Sequence, residues 1–280
     1  MKKRTGKEII NYTISYFIIF ILLVYILIPF YWMGITSLKR TQDVYSYPIK
    51  YIPDPITFRH YIRIWHGSPF LRYFLNSVIV AGCTTILSLF ISTFAGYSFS
   101  RFRYKMRKTL LVYILINQMI PAILIVIPIF LIIKTLRLLN TYISLILVYT
   151  AFTIPFCTWM LKNYFDTLPK EIEEAAKVDG CTYLQILWKI VVPVSAPGFV
   201  AAGMFSFIVA WHEFVVALTL ISKEEMMTLP VGLYSFVTEF TTEWELISAG
   251  CIIATIPIAV MFVILQRYFV QGLTKGAIKT

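Results

Sequence analysis

Few residues in this chain have the types and spacing to do chemistry, and the sharpest group is Trp211-His212-Glu213, set inside an otherwise apolar run. An imidazole next to a carboxylate opens a zinc-protease signature, but that signature needs a second histidine where Val216 stands. A carboxylate in a spanning helix costs about 2.5 to 3.5 kcal/mol on insertion scales, so Glu213 is expected to face protein or water and not lipid. Two roles stay open for it: a group in a solute path or gate, or a structural hydrogen bond to a neighbouring subunit. Asn117 and Gln118, close to Pro121, either line the same path or hydrogen-bond across helices, and packing is the favoured reading. No catalytic set converges elsewhere. Gly6-Lys7 is followed by Glu8 and lacks the upstream glycine of a phosphate loop, so nucleotide would have to be bound by another chain. Cys83, Cys157, Cys181 and Cys251 lack metal-ligand spacing and read as small buried hydrophobes, so neither a metal nor a cofactor is expected on this chain.

The other informative stretch is a polar hairpin, Leu168 to Pro193, between apolar runs. Pro169 suits the first turn of a helix, and Glu171, Glu173 and Glu174 place negative charge at its positive end. Ile172, Ala175 and Ala176 are expected on one small apolar face, with Glu173 and Lys177 paired one turn apart. Gly180 falls where that helix should stop, because glycine takes a left-handed C-cap without steric penalty. Thr182 and Gln185 have the spacing of a capping box. Leu184, Leu187, Ile190 and Val191 then make an apolar stripe that Pro193 and Pro197 end. A hairpin lying on lipid without a partner is the plain alternative. It would not need a small Ala-Ala surface followed by a capped turn.

The elements that position these residues must lie in lipid. With 59% hydrophobic residues, 14% charged and a mean hydropathy of +0.76, the chain is too apolar for a soluble globule. Hydropathy gives about six spans of roughly 20 or more residues: Tyr12 to Met33, Phe74 to Phe99, Leu110 to Ile133, Tyr142 to Leu161, Gly198 to Ile221 and Leu246 to Phe269. Continuous apolar runs without period-two alternation imply helices and not a barrel. The expected fold is therefore an all-α integral membrane protein. Glu213 would lie about 22 Å along the fifth span, in its outer half. Pro121, Pro128, Pro155 and Pro257 fall inside spans and free carbonyls that neighbouring helices must satisfy.

The first span is too long for a signal-peptide core and no small-residue cleavage site follows it, so it reads as an anchor. Lys2, Lys3, Arg4 and Lys7 place residues 1–11 in the cytoplasm. Six crossings from there put the basic cluster Arg101 to Lys108, the hairpin, Arg267, Lys275 and Lys279 inside, and Lys223 to Glu245 outside. The bias of basic residues favours that orientation. The long basic loop between the first two spans opposes it, but long loops translocate largely regardless of charge. A net charge of +11 dispersed on both sides shows no nucleic-acid stripe, and anionic inner-leaflet lipid is the simpler partner.

The hairpin resembles the EAA loop of permease subunits in ATP-binding-cassette (ABC) importers, carried here by Glu174, Ala175, Ala176, Gly180, Ile190, Val192 and Pro193, with Val192 where leucine is usual. Asn76 to Ala81, Ala95 to Phe102, Leu168 to Glu171, Thr228 to Leu233 and Gln266 to Ala277 extend the resemblance to carbohydrate importers of the maltose-transporter type, specifically the smaller six-span subunit. His212 departs from the family's usual asparagine. The resemblance implies that residues 12–280 form an importer transmembrane domain in the cytoplasmic membrane, both termini inside. Its partners would be a second, homologous permease, two ATPase subunits that carry ATP and Mg2+, and an extracytoplasmic solute-binding protein. The implied coupling residues are Glu174, Ala175, Ala176, Asp179, Gly180 and Pro193. The implied cargo is a sugar or oligosaccharide, with glycerol-3-phosphate an alternative. Trp211 offers a face that suits a sugar ring, although packing is the favoured reading. An ion-coupled secondary transporter would need more intramembrane ionisable groups than His212 and Glu213, and an internal repeat that is not evident.

Overall fold

The computed structural model describes the backbone of residues 6–238 and 241–277, and side chains for residues 12–238 and 241–266. The basic side chains at Lys2, Lys3, Arg4, Lys7, Arg267, Lys275 and Lys279, expected to mark the cytoplasmic face, lie outside those described. In chain order the helices are α1 (Gly6–Leu38), α2 (Thr41–Val44), α3 (Arg59–His66), α4 (Phe70–Arg101), α5 (Arg107–Asn117), α6 (Ala122–Thr135) and α7 (Tyr142–Asp166). Beyond them lie α8 (Lys170–Val178), α9 (Tyr183–Ile186), a π-helical turn at Leu187–Val191, α10 (Val192–Val194), α11 (Ala196–His212), α12 (Val215–Leu220), α13 (Leu229–Tyr234) and α14 (Trp244–Ala277). Among the described residues, β-pairing is confined to an isolated bridge between Val237 and Thr242.

Among the described residues four helices are long and apolar enough to cross a membrane, and two bent pairs raise the number to as many as 6. Two expected spans are broken. The third bends by 94° between α5 and α6, where Gln118 to Pro121 interrupts the helix. Pro121 cannot donate a backbone hydrogen bond and holds an extended conformation, so α6 starts afresh after it. The expected span Gly198 to Ile221 stops at His212, with α12 a separate short helix.

Two compact units make up the chain, residues 1–68 with 233–255 and residues 69–232 with 256–280. In the first, α1 presents apolar side chains to its surroundings on all sides, as a lipid-facing anchor does. Its end is tied down by polar contacts: Ser37 Oγ and Tyr61 Oη share a hydrogen bond of 2.8 Å, and His60 Nε2 lies 2.8 Å from the Lys39 carbonyl oxygen. Burial pushes the Lys39 ammonium below the usual lysine range, and Asp43 partly offsets this.

In the second unit α4 packs along α7 and α11. The close approach is set by Gly96, where an added Cβ would sit 3.1 Å from the Lys162 amide nitrogen and 3.3 Å from the Thr158 carbonyl oxygen. Ser88 and Thr153 hydroxyls meet at 2.6 Å across the same seam. Small residues and hydroxyl pairs are how helices associate where lipid is as apolar as the side chains. Cys157 is buried at the seam as expected, but Cys83 is exposed on α4.

Candidate functional site

The hairpin begins where α7 ends. Pro169 caps α8 from an extended conformation, and Glu171 and Glu173 lie in its first turn. Gly180 has φ +82°, the left-handed value that glycine adopts freely. The Cys181 N–H donates to the Ala176 carbonyl (2.9 Å) and the Gly180 N–H to the Lys177 carbonyl (3.0 Å), the two bonds of a Schellman cap. Thr182 then starts α9 with a complete capping box: its N–H donates to Gln185 Oε1 (2.8 Å) and its hydroxyl accepts from the Gln185 N–H (3.4 Å). Local sequence therefore specifies the turn on both sides.

Which faces of the hairpin are buried differs from expectation. On α8, Ala176 and Glu173 point inward, while Ile172, Glu174 and Ala175 are exposed. Glu173 does not pair with Lys177. Its Oε1 accepts from Arg101 Nε at 2.6 Å and its Oε2 from the Tyr97 hydroxyl at 2.9 Å. Both side chains of the ion pair are under a tenth exposed, 8% and 7%. Lys177 instead holds its ammonium 4.6 Å from the Tyr183 ring centroid. Arg101, which the charge pattern places among free cytosolic cations, is a buried charge, and its remaining donors reach Ser100 Oγ (3.0 Å) and the Leu168 carbonyl (3.3 Å). The sequence carries one signal of this: an acid three residues before a buried alanine, on a helix face that must bury itself, needs a cationic partner.

On the second arm the buried stripe is Ile186, Leu187 and Val191, with Ile190 half-buried and Leu184 exposed. The π-turn at Leu187–Val191 resets the phase of the side chains from there on, whereas the exposure of Leu184 and burial of Ile186 are set in α9 before it. Pro193 does not end the arm. Its ring would press on the Lys189 carbonyl in a regular helix, and the wider turn sits at that point. The arm ends at Ser195, and α11 leaves at 81° with Pro197 in its first turn. Trp188 lies against Phe90 and Phe94 of α4 at ring-centroid distances of 6.2 and 5.9 Å. Of the expected coupling residues, Glu174, Ala175, Asp179, Gly180 and Pro193 are therefore exposed, and Ala176 is buried in the core that also holds Tyr97, Leu161 and Phe165.

The intramembrane residues are not brought together. Trp211 is buried, edge-on to Phe74 at 5.6 Å and stacked on Phe207 at 5.5 Å, as the packing reading has it. His212 is exposed. Glu213 occupies the break between α11 and α12 and accepts the Tyr149 hydroxyl (2.7 Å) and the amides of Val216 (2.8 Å) and Ala217 (3.0 Å). Its carboxylate thus caps α12 and ties it to α7 through hydrogen bonds within this chain. Acidic caps at a helix start are favourable because the first amides lack acceptors. Asn117 and Gln118 are exposed, and Asn117 Nδ2 donates to the Tyr113 carbonyl of its own helix (3.0 Å).

Comparison with known proteins matches this arrangement. Residues 88–275 fit the family described as the binding-protein-dependent transport system inner membrane component. The chain is 38% identical over 259 residues to the sulfoquinovosyl glycerol transport system permease protein SmoH of Agrobacterium fabrum, covering 92% of this chain and 91% of that one. It is 37% identical over 259 residues to the diacetylchitobiose uptake system permease protein DasC of Streptomyces coelicolor, covering 92% and 94%. In fold it resembles a chain of a crystallised bacterial ABC transporter involved in alginate import, with a TM-score of 0.82 at 23% identity over 96% of this chain and 100% of that one. The family match takes in hairpin, seam and helix break alike, so this chain belongs to the binding-protein-dependent transport system inner membrane components and is a permease of the ABC transporter class.

Proposed function

We propose that this permease moves a carbohydrate inward across the cytoplasmic membrane, driven by ATP hydrolysis on separate subunits that grip the Leu168 to Pro193 hairpin. The observation that carries the reading is the hairpin itself. One side is locked into the helical core through Ala176, Ile186 and Leu187, while Ile172, Glu174, Ala175, Val178 and Asp179 face outward from a turn capped on both sides. An exposed surface held so firmly suits transmission of force between rigid bodies. The complex would contain a second related permease, two ATPase subunits with ATP and Mg2+, and an extracytoplasmic binding protein that delivers the solute. The hairpin and both termini would be cytoplasmic. A carbohydrate cargo is supported by the names of SmoH and DasC, a sulfosugar glycoside and an aminosugar disaccharide permease. Glu213 accepts three hydrogen bonds within this chain, which supports a structural role over proton relay.

The test is uptake of the binding protein's ligand by proteoliposomes holding the whole complex, with and without internal ATP and with an imposed proton gradient. Uptake is expected only with ATP. Uptake that tracks the proton gradient in its absence would overturn the reading in favour of an ion-coupled carrier.

A further inference from the structure

Both arms of the hairpin reach the same spanning helix, α4, through polar and aromatic side chains. On the first arm, Glu173 holds Arg101, the last residue of α4, and the Tyr97 hydroxyl one turn before it. On the second arm, Trp188 sits against Phe90 and Phe94 of the same helix. Helix α4 is in turn seated on α7 through Gly96, and Ser100 Oγ donates to Asp166 Oδ1 at 2.6 Å at the end of α7. An ion pair buried this deeply is a poor source of stability, because desolvating both charges cancels most of their attraction. It does fix direction and register, which apolar contacts alone do not.

We propose that the Arg101–Glu173 pair is a positioning strut that makes hairpin and α4 move as one lever, so that a displacement imposed on the hairpin reaches the spanning helices without slip. This rests on the hairpin being the surface that the ATPase grips. The strut acts behind that surface: the Glu173 and Arg101 side chains are both under a tenth exposed, and the exposed Glu174 is left to meet the partner. Breaking the strut should therefore spare docking and harm transmission.

The experiment uses the full complex in proteoliposomes and reads three quantities: ATPase retained on purification, thermal stability, and solute imported per ATP hydrolysed. Glu173→Gln is expected to keep the ATPase bound while import per ATP falls about tenfold, within the roughly 5–150-fold range that coupling free energies span. The double variant Arg101→Met with Glu173→Met leaves no lone buried charge, so stability should return to the wild-type value. Import per ATP should stay low. If the double variant regains both, the pair is only a packing feature and the proposal is overturned. Should neither variant insert, Tyr97→Phe removes one bond to the same carboxylate, and a fall of about fivefold in import per ATP is expected from the loss of one such bond; an unchanged ratio overturns the strut. Gly180→Val at the turn is measured in parallel. Wild-type behaviour of that variant would discard the hairpin as the coupling surface altogether, whereas its failure beside a fully coupled Glu173→Gln would discard the strut alone.

Discussion

Replacing Gly180 with valine isolates the conformation of the hairpin turn, because a Cβ at that position meets nothing within 4 Å. Any effect arising within this chain must come from the backbone. At φ +82° an L-residue is strained by about 1–2 kcal/mol, and a β-branched one by more. The chain can escape by opening the Schellman cap, which gives up the Cys181–Ala176 and Gly180–Lys177 bonds at a net ~0.5–1.5 kcal/mol each. The two routes cost alike, so the turn is expected to be displaced in a large share of molecules. A penalty of ~1.4 kcal/mol weakens a docking equilibrium about tenfold. Membrane insertion should survive, since Gly180 is exposed and the core beneath the turn is untouched. The assay is the fraction of ATPase that stays with the permease through size-exclusion chromatography, together with binding-protein-stimulated hydrolysis. Gly180→Asn should stay near wild type because asparagine tolerates the left-handed region, with Gly180→Ala in between. The reasoning is refuted if valine is harmless, and equally if asparagine is as damaging as valine, since the site would then require an absent side chain and not a conformation.

Other contacts set the remaining expectations. Glu213→Leu leaves the Tyr149 hydroxyl and the Val216 and Ala217 amides without their acceptor, at ~1–3 kcal/mol for each buried group, and should lower the melting temperature in detergent markedly. His212→Asn, on an exposed side chain, should leave both stability and uptake near wild type. Gly96→Val forces α4 away from α7 at about 1–3 kcal/mol of overpacking, which thermal denaturation will register; no change would mean the seam is looser than its 3.1 Å approach implies. Glu174→Lys should reduce ATPase retention without moving the melting temperature, because exposed substitutions usually stay within about 0.5 kcal/mol. For orientation, Lys177→Cys in a cysteine-free background should react with an impermeant maleimide only in inside-out vesicles, and labelling from intact cells would invert the topology.

Local features were legible in the sequence because their causes are local. The turn at Gly180, the capping box of Thr182 and Gln185, and the start of α8 after Pro169 each arise from a residue's own backbone limits or from partners within one turn. Lipid solvation was equally plain, since an apolar run of about 20 residues has few other uses. What the tertiary structure alone decided is where long side chains reach. Glu173 had an adequate partner one turn away in Lys177 and took Arg101 instead, because Ala176 beside it must face the core and carries Glu173 inward, where a distant arginine is the available cation. Glu213 read as an interruption to be tolerated within a span, whereas it ends α11 and caps α12 with Tyr149 as its third donor. In both cases hydropathy records only that a charge sits in an apolar run. Which group satisfies it depends on how α4, α7 and α11 pack, and that is fixed by contacts between residues far apart in the chain.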